Sequence, residues 1–247
     1  MRISEQKIKE KSDNPVNIHV FDSIDSTNNE AKRGADRDRG IHLYATMHQT
    51  AGRGRRGRDF YSPKDTGLYM TLSYPIAETA DIQRVTCAAG VAVCEAIEAL
   101  SDQTPRIKWV NDIIIDGRKV AGILAELVTD DDNRPISVIV GIGLNLTTNA
   151  FPDEFAEKAG CIGDIQPEAL CAAISDNLIG MFSDLDNNSV IEKYKALNLC
   201  IGRAVRFTKD GAEHEATAID ISPDGGLVVE ENGDTYTLNS GEISVTL

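Results

Sequence analysis

The stretch from Arg106 to Leu146 constrains the fold of this 247-residue chain more than any other. Arg106-Ile107-Lys108-Trp109-Val110 precedes Asn111-Asp112, and Ile113-Ile114-Ile115 precedes Asp116-Gly117. An Asp-Gly pair supplies the positive φ that a tight hairpin needs. Val120 to Val128 returns from that turn, Asp130 to Pro135 makes a second polar turn, and Ile136 to Leu146 comes back again. The pattern predicts an antiparallel meander with buried faces. Gly141 and Gly143 interrupt its last strand. Glycine weakens a strand, so it marks a bulge or a place where something lies close against the backbone.

The rest of the chain surrounds this meander with helices. Val85, Ala88, Ala89, Ala92, Ala96 and Leu100 recur at helical spacing, which predicts a helix over 83–100. Cys87 and Cys94 share one face of it and are expected to pack into the core. Upstream, strand-like runs occur at Ile18–Phe21, Ile41–Met47 and Gly67–Leu72, with a helix after Asp25 or Ser26 as its cap. The first fifteen or so residues are expected to be a frayed tail. Phe151 to Lys195 is expected to be helical with a break at Asp184–Ser189. From Leu199, five short β runs alternate with Asp210-Gly211, Asp224-Gly225-Gly226 and Asn232-Gly233. That spacing suggests a small all-β barrel. The expected fold class is therefore α+β: a mixed, mainly antiparallel central sheet carrying helices, plus a C-terminal SH3-like β-barrel. The expected division is a tail at 1–17, a catalytic domain at 18–198 and the barrel at 199–247.

Composition excludes several classes. Hydrophobic residues at 41% can build a sizeable core. A formal net charge of -14 argues against bulk nucleic-acid or anionic-membrane binding. The C-terminal segment 199–247 is itself acidic, with nine Asp/Glu against three Lys/Arg, so barrel architecture there does not imply nucleic-acid binding. No apolar run approaches the roughly 20 residues that span a bilayer, and Met1 to Lys11 carries no secretory apolar core. The five cysteines are odd in number and form no CxxC pair, so they are expected to be reduced cytoplasmic thiols, with no structural metal site.

Against that acidic background stands Gly52-Arg53-Gly54-Arg55-Arg56-Gly57-Arg58, four arginines and three glycines in seven residues. Guanidinium groups match carboxylate and phosphate, and glycine lets backbone approach a ligand. Alone, the segment admits a lid over a small anion, a solvated basic loop, a localisation tag or an RNA-binding segment. Asp25-Ser26-Thr27-Asn28 is equally a helix cap or a set of donors facing a polar ligand. Lys108 is a surface residue or a site residue, and Asn111-Asp112 is ordinary turn chemistry.

The combination is specific. Asp25-Ser26-Thr27-Asn28, Gln49-Thr50-Ala51-Gly52-Arg53-Gly54-Arg55-Arg56-Gly57-Arg58, Lys108-Trp109-Val110-Asn111-Asp112, Lys119-Val120-Ala121-Gly122-Ile123-Leu124 and Gly141-Ile142-Gly143-Leu144-Asn145 follow one another in order. This set closely resembles biotin–protein ligases over about residues 18 to 247. The resemblance implies that Ser26, Thr27, Asn28 and Gln49 contact the ureido ring of biotin. It assigns Gly52, Arg53, Gly54 and Arg55 to a loop folding over biotin and its adenylate, with Arg56, Gly57 and Arg58 supporting it. Lys108 would lie between the biotin carboxylate and the α-phosphate of ATP. Gly122, Gly141 and Gly143 would let backbone lie against biotin, and Asn111, Lys119 and Asn145 would serve the nucleotide end. Mg2+ would accompany ATP, and the partner would be a biotin carboxyl carrier domain. Lipoate and octanoyl attachment enzymes resemble the same fold but usually lack the arginine-glycine loop.

Two positions depart from the family pattern. Val110 stands where Pro is common, and Phe60 stands where Trp often stacks on adenine; Phe offers less stacking area, so weaker ATP binding is expected. The loop is expected to be unordered without ligand. Some relatives carry an N-terminal helix-turn-helix; the seventeen residues before the first strand here do not accommodate one, so no DNA binding is expected. Relatives often dimerise through the edge of the central sheet, where exposed strands can pair.

Overall fold

The computed structural model describes residues 3–35, 38–76, 80–148, 150–185, 188–239, 241 and 243–245. Its central sheet has seven strands: β1 (Asn17–Phe21), β2 (His42–Thr46), β3 (Gly67–Pro75), β4 (Arg106–Lys108), β5 (Asp112–Ile115), β6 (Arg118–Thr129) and β7 (Pro135–Asn145). Their spatial order is β1-β2-β3-β7-β6-β5-β4. Only β1 and β2 run parallel; every other neighbouring pair is antiparallel. Asp116 and Gly117 both take positive φ at the β5–β6 hairpin, as an Asp-Gly turn requires.

Among the described residues six α-helices accompany the sheet: α1 (Glu5–Lys9), α2 (Thr27–Ala35), α3 (Ile82–Leu100), α4 (Asp153–Ala156), α5 (Pro167–Phe182) and α6 (Ser189–Leu197). The Asp81 carboxylate caps α3 by accepting from the backbone N–H groups of Gln83 and Arg84, which satisfies two donors left orphaned at a helix start. Val85, Val91, Val93 and Ile97 of α3 are fully buried, each contributing on the order of 1.5–3 kcal/mol.

Strand alternation sorts the sheet into two faces. Leu68, Met70 and Leu72 of β3, Ala121 and Ile123 of β6, and Val140, Ile142 and Leu144 of β7 enter the core shared with the long helices. The intervening positions, Tyr69 and Thr71, Gly122 and Leu124, Gly141 and Gly143, face the other way. Cross-strand pairing aligns them in rows: Tyr69–Gly143–Gly122 and Thr71–Gly141–Leu124.

A second sheet of five antiparallel strands follows: β8 (Ala204–Lys209), β9 (Ala212–Ile221), β10 (Leu227–Glu231), β11 (Asp234–Leu238) and β12 (Ile243–Val245), in the order β11-β10-β9-β8-β12. It encloses Val205, Phe207, Ala218, Leu227 and Val229. Its β9–β10 turn is fastened to the first unit: the Trp109 indole N–H donates to the Gly225 carbonyl at 3.0 Å, and the Arg84 guanidinium donates to the carbonyls of Leu185 and Pro223.

Two expectations are corrected. The N-terminal residues are not a frayed tail: α1 is capped by Ser4, buries Ile8 completely, and is followed by Ser12, Asp13 and Asn14, all of which donate to the Asp176 carboxylate on α5. The segment from Phe151 is not helical throughout. Residues 157–166 leave the helix because the Lys119 N–H donates to the Lys158 carbonyl, the Gly160 N–H donates to the Lys119 carbonyl, and Gly163 takes positive φ. The break between α5 and α6 is present where expected; residues 186–187 of it lie outside the described residues.

Candidate active site

The glycine face of the sheet forms the floor of a cleft of about 1200 Å3. Ser26, Thr27, Asn28, Gln49, Arg53, Gly54, Arg55, Arg58, Phe60, Lys108, Asn111, Lys119, Gly122, Gly141 and Gly143 all line it. Of the residues singled out in the sequence, Gly52, Arg56 and Asn145 lie off the lining. Gly52 is buried beneath the loop, where an added Cβ would stand 2.6 Å from the Phe60 carbonyl oxygen. Arg56 is exposed. Asn145 is buried and donates to the Gly160 carbonyl.

The start of α2 forms one wall. Ser26, Thr27 and Asn28 are buried there. Gln49, just beyond β2, accepts the Thr27 backbone N–H through Oε1 at 2.8 Å and donates to Ser62 Oγ at 3.2 Å, which fixes its amide orientation. Asp25 braces the same turn: it accepts from Asn29 and from the Arg33 guanidinium. The hydrogen bond from Arg33 holds the Asp25 carboxyl well below the usual range.

The regular register of β7 shows no bulge at Gly141 or Gly143, so those glycines serve close approach. A Cβ at Gly141 would collide with the Asn28 carboxamide, and one at Gly143 would collide with the Phe60 ring. The Phe60 ring also lies over Gly122 and meets Tyr69 edge-on, with ring centroids 6.4 Å apart. Phe60 therefore packs on the glycine floor itself.

The arginine-glycine segment folds as a compact loop. The Gly54 N–H donates to the Arg58 carbonyl at 2.7 Å and the Phe60 N–H to the Gly52 carbonyl at 3.0 Å. Arg56 and Gly57 both take positive φ at its tip. Arg53 donates to Asn29 Oδ1 and Arg55 to Asn111 Oδ1, so the loop bridges α2 and the segment after β4. Asn111 in turn donates to the Ile123 carbonyl.

Lys108, at the end of β4, lines the cleft without an acidic partner among the described residues. The chain behind it is tied down by two hydrogen bonds. The Tyr194 hydroxyl donates to the Val110 carbonyl at 3.0 Å, the Trp109 N–H donates to Cys200 Sγ, and the Trp109–Val110 peptide is cis. Lys119 pairs with Asp112 at 2.6 Å. Arg53, Arg55, Arg58, Lys108, Lys119 and Arg206 face the cleft against four carboxylates, Asp59, Asp112, Glu154 and Glu213. An acidic protein thus concentrates positive charge at one site.

Three participants were not singled out from the sequence. The Thr71 hydroxyl lies 2.7 Å from Asn28 Oδ1. Glu126 on β6 accepts from Asn28 Nδ2 at 3.0 Å and from Lys32 Nζ at 2.7 Å. Burial pushes the Glu126 carboxyl up, but the hydrogen bonds from Lys32 and Asn28 outweigh it and hold the group below its ordinary value. One available signal was an acid in the otherwise apolar run Val120–Val128, at even spacing from Gly122.

A mixed sheet, a glycine-floored cleft and a basic loop bridging its walls define a class of enzymes that attach small carboxylic-acid cofactors to proteins. Comparisons agree. The Biotin/lipoate A/B protein ligase family matches residues 20–145, and the Biotin protein ligase C terminal domain matches residues 200–245. The chain belongs to the biotin protein ligase family. It is 31% identical over 231 residues to the biotin--[acetyl-CoA-carboxylase] ligase of Mycobacterium tuberculosis, covering 86% of this chain and 81% of that one. It is 30% identical over 211 residues to the bifunctional ligase/repressor BirA of Bacillus subtilis; the match takes in 80% of this chain and spans 64% of the relative's length. The solved biotin protein ligase from Aquifex aeolicus in complex with biotin and ATP superposes with a TM-score of 0.76 at 25% identity, covering 93% of this chain and 98% of that one. No helix among the described residues is long and apolar enough to cross a membrane.

Proposed function

We propose that this chain is an ATP-dependent biotin–protein ligase acting in the cytoplasm. It activates the biotin carboxylate as biotinoyl-5′-AMP with release of pyrophosphate. It then passes the biotinoyl group to a lysine of a biotin carboxyl carrier domain of a carboxylase and releases AMP. The observation that carries this reading is the convergence on one cleft of the glycine floor, the polar wall at Ser26–Asn28 and Gln49, and the cations Arg53, Arg55 and Lys108.

Each part has a task. A ureido ring offers N–H donors and a carbonyl acceptor, which suit hydroxyl and amide side chains; Gly141 lets the Asn28 carboxamide, and Gly143 the Phe60 ring, lie close on the floor where the bicycle is to be held. The biotin carboxylate oxygen attacks the α-phosphorus of ATP, and the pentacovalent phosphate gathers negative charge. Lys108 and Arg53 offset that charge and the repulsion between the two anions. The mixed anhydride needs shelter from water, which the Arg53–Arg58 loop supplies when closed. The acceptor amine then attacks the carbonyl carbon and the AMP phosphate leaves. Magnesium is expected to arrive bound to the triphosphate as part of the substrate.

The matched family includes lipoate enzymes, and lipoate is the second reading. Its dithiolane ring has no N–H or carbonyl for the polar wall to meet, and burying unpaired polar groups strongly disfavours such a ligand. The deciding experiment incubates the protein with ATP, magnesium, a carrier domain and either biotin or lipoate, and reads the carrier by mass spectrometry. A gain of one biotinoyl group, slowed in Arg53→Ala and Lys108→Ala, supports the proposal. Lipoyl transfer, or no biotinoyl-AMP at all, refutes it.

A further inference from the structure

Glu126 is the one acid in the run Val120–Val128 of β6. It lies on the cleft face of β6, beyond Gly122 and Leu124, and reaches the first turn of α2. Its two carboxylate oxygens bind two residues one helical turn apart: Oε2 accepts from Asn28 at 3.0 Å and Oε1 from Lys32 at 2.7 Å. Asn28 Nδ2 also donates to the Leu124 carbonyl, at 3.4 Å. An ionised carboxylate and a backbone carbonyl can only accept hydrogen bonds. The side of Asn28 that faces them must therefore be the NH2 group, and both of its hydrogens are used. The opposite atom, Oδ1, takes the Thr71 hydroxyl at 2.7 Å and keeps one lone pair. Asn28 is thus locked as an acceptor, on the wall of the cleft, against Gly141.

We infer that Glu126 is a positioning residue that sets ligand selectivity by holding Asn28 in the one amide orientation that demands an N–H from the ligand. The inference rests on the proposed function for the ligand, the ureido ring of biotin. Lys32 neutralises and anchors Glu126 from the same face of α2, so the helix carries both the reading residue and the counter-ion of its lock. Replacing Glu126 by glutamine keeps the shape but supplies a donor. Asn28 could then turn over, giving up the long bond to the Leu124 carbonyl, accept from residue 126 through Oδ1 and offer its NH2 group to the cleft.

The test measures affinities for biotin and for the two carbamate analogues in which one or the other ureido N–H is replaced by a ring oxygen, by titration calorimetry. The readout is the ratio of affinities, which is insensitive to the fraction of protein that is correctly folded. Wild type is expected to prefer biotin over one of the analogues by roughly 100-fold or more, as sites built around a ligand N–H do. Glu126→Gln is expected to reduce that ratio at least 10-fold, and Lys32→Met is expected to move it the same way by less. Adding Asn28→Asp to Glu126→Gln makes residue 28 an acceptor in either orientation and is expected to restore the preference. An unchanged ratio in Glu126→Gln, or an equal loss for biotin and both analogues, overturns the assignment while leaving the proposed function intact. No biotin binding by the wild type overturns both.

Discussion

Removing one oxygen atom, in Tyr194→Phe, tests whether the segment carrying Lys108 is held from behind as the structure implies. Tyr194 is fully buried on α6, and its hydroxyl donates to the Val110 carbonyl at 3.0 Å. Burial raises the phenol well above its ordinary pKa, so it remains a protonated donor at any working pH. Phenylalanine keeps the ring and its packing, but leaves the Val110 carbonyl without this donor. Val110 is itself only 6% exposed. Leaving a buried acceptor unpaired costs about 1–3 kcal/mol, or a lowering of the melting temperature by about 2–4 °C per kcal/mol in a chain of this size. Urea denaturation with Tyr74→Phe as control is the assay. Tyr74 is half-buried and packs edge-on against Phe182, so its hydroxyl is expected to contribute less than about 0.5 kcal/mol. Lys108 lies two residues from the freed carbonyl, so biotinoyl-AMP formation is expected to slow about 10-fold, as misplacement of a catalytic group by a fraction of an ångström does. A stability loss no larger than the Tyr74→Phe control would show that the hydroxyl does not hold this segment.

Further outcomes follow from the same geometry. Gly143→Ala drives a methyl into the Phe60 ring and is expected to weaken biotin binding at least 10-fold in calorimetry; unchanged affinity would remove the glycine floor from the site. Trypsin is expected to cut within Arg53–Arg58 in the free protein and to be excluded by biotin with ATP, as judged by fragment mass; equal cleavage rates in both states would contradict a closing loop. Arg33 depresses the Asp25 carboxyl, so its stabilisation is fully present above the ordinary value of 3.8 and is lost as acid protonates it. The stability gap between wild type and Asp25→Asn should therefore be constant near neutrality and shrink below that value; a gap that widened in acid would reverse the sign. Of the five thiols, Cys87, Cys94, Cys171 and Cys200 are buried and their pKa values raised by burial, whereas Cys161 is exposed. A thiol reagent should label one cysteine quickly in the folded protein and five after denaturation.

Much of this architecture was legible because its signals are local. The Asp116-Gly117 turn and the alternating runs around it specify β5 to β7 without knowledge of any partner, and the alanine-rich stripe of Ile82–Leu100 specifies α3. What escaped depended on distant contacts. Helix α1 has five residues and one fully buried side chain, Ile8, too little for periodicity to register; the turn after it is tied through Ser12 and Asp13 to Asp176, over 160 residues away. The departure from helix at 157–166 is imposed by Lys119 across the fold. In the site, the polar and basic wall could be read from its unusual composition. Thr71 could not, since it looks like an ordinary strand residue until β3 brings it to Asn28; Lys32 takes part only through Glu126, whose single sign was an acid in an otherwise apolar run.

The fastening of Trp109 to Gly225 has a practical consequence. This is the chain's single tryptophan, and its indole sits where the second sheet meets the Lys108 segment, one residue from the lysine. Intrinsic fluorescence of the unlabelled protein is therefore an optical gauge of one junction. A red shift in emission on dilute denaturant, ahead of any change in far-ultraviolet circular dichroism, would time the parting of the two sheets separately from the melting of either.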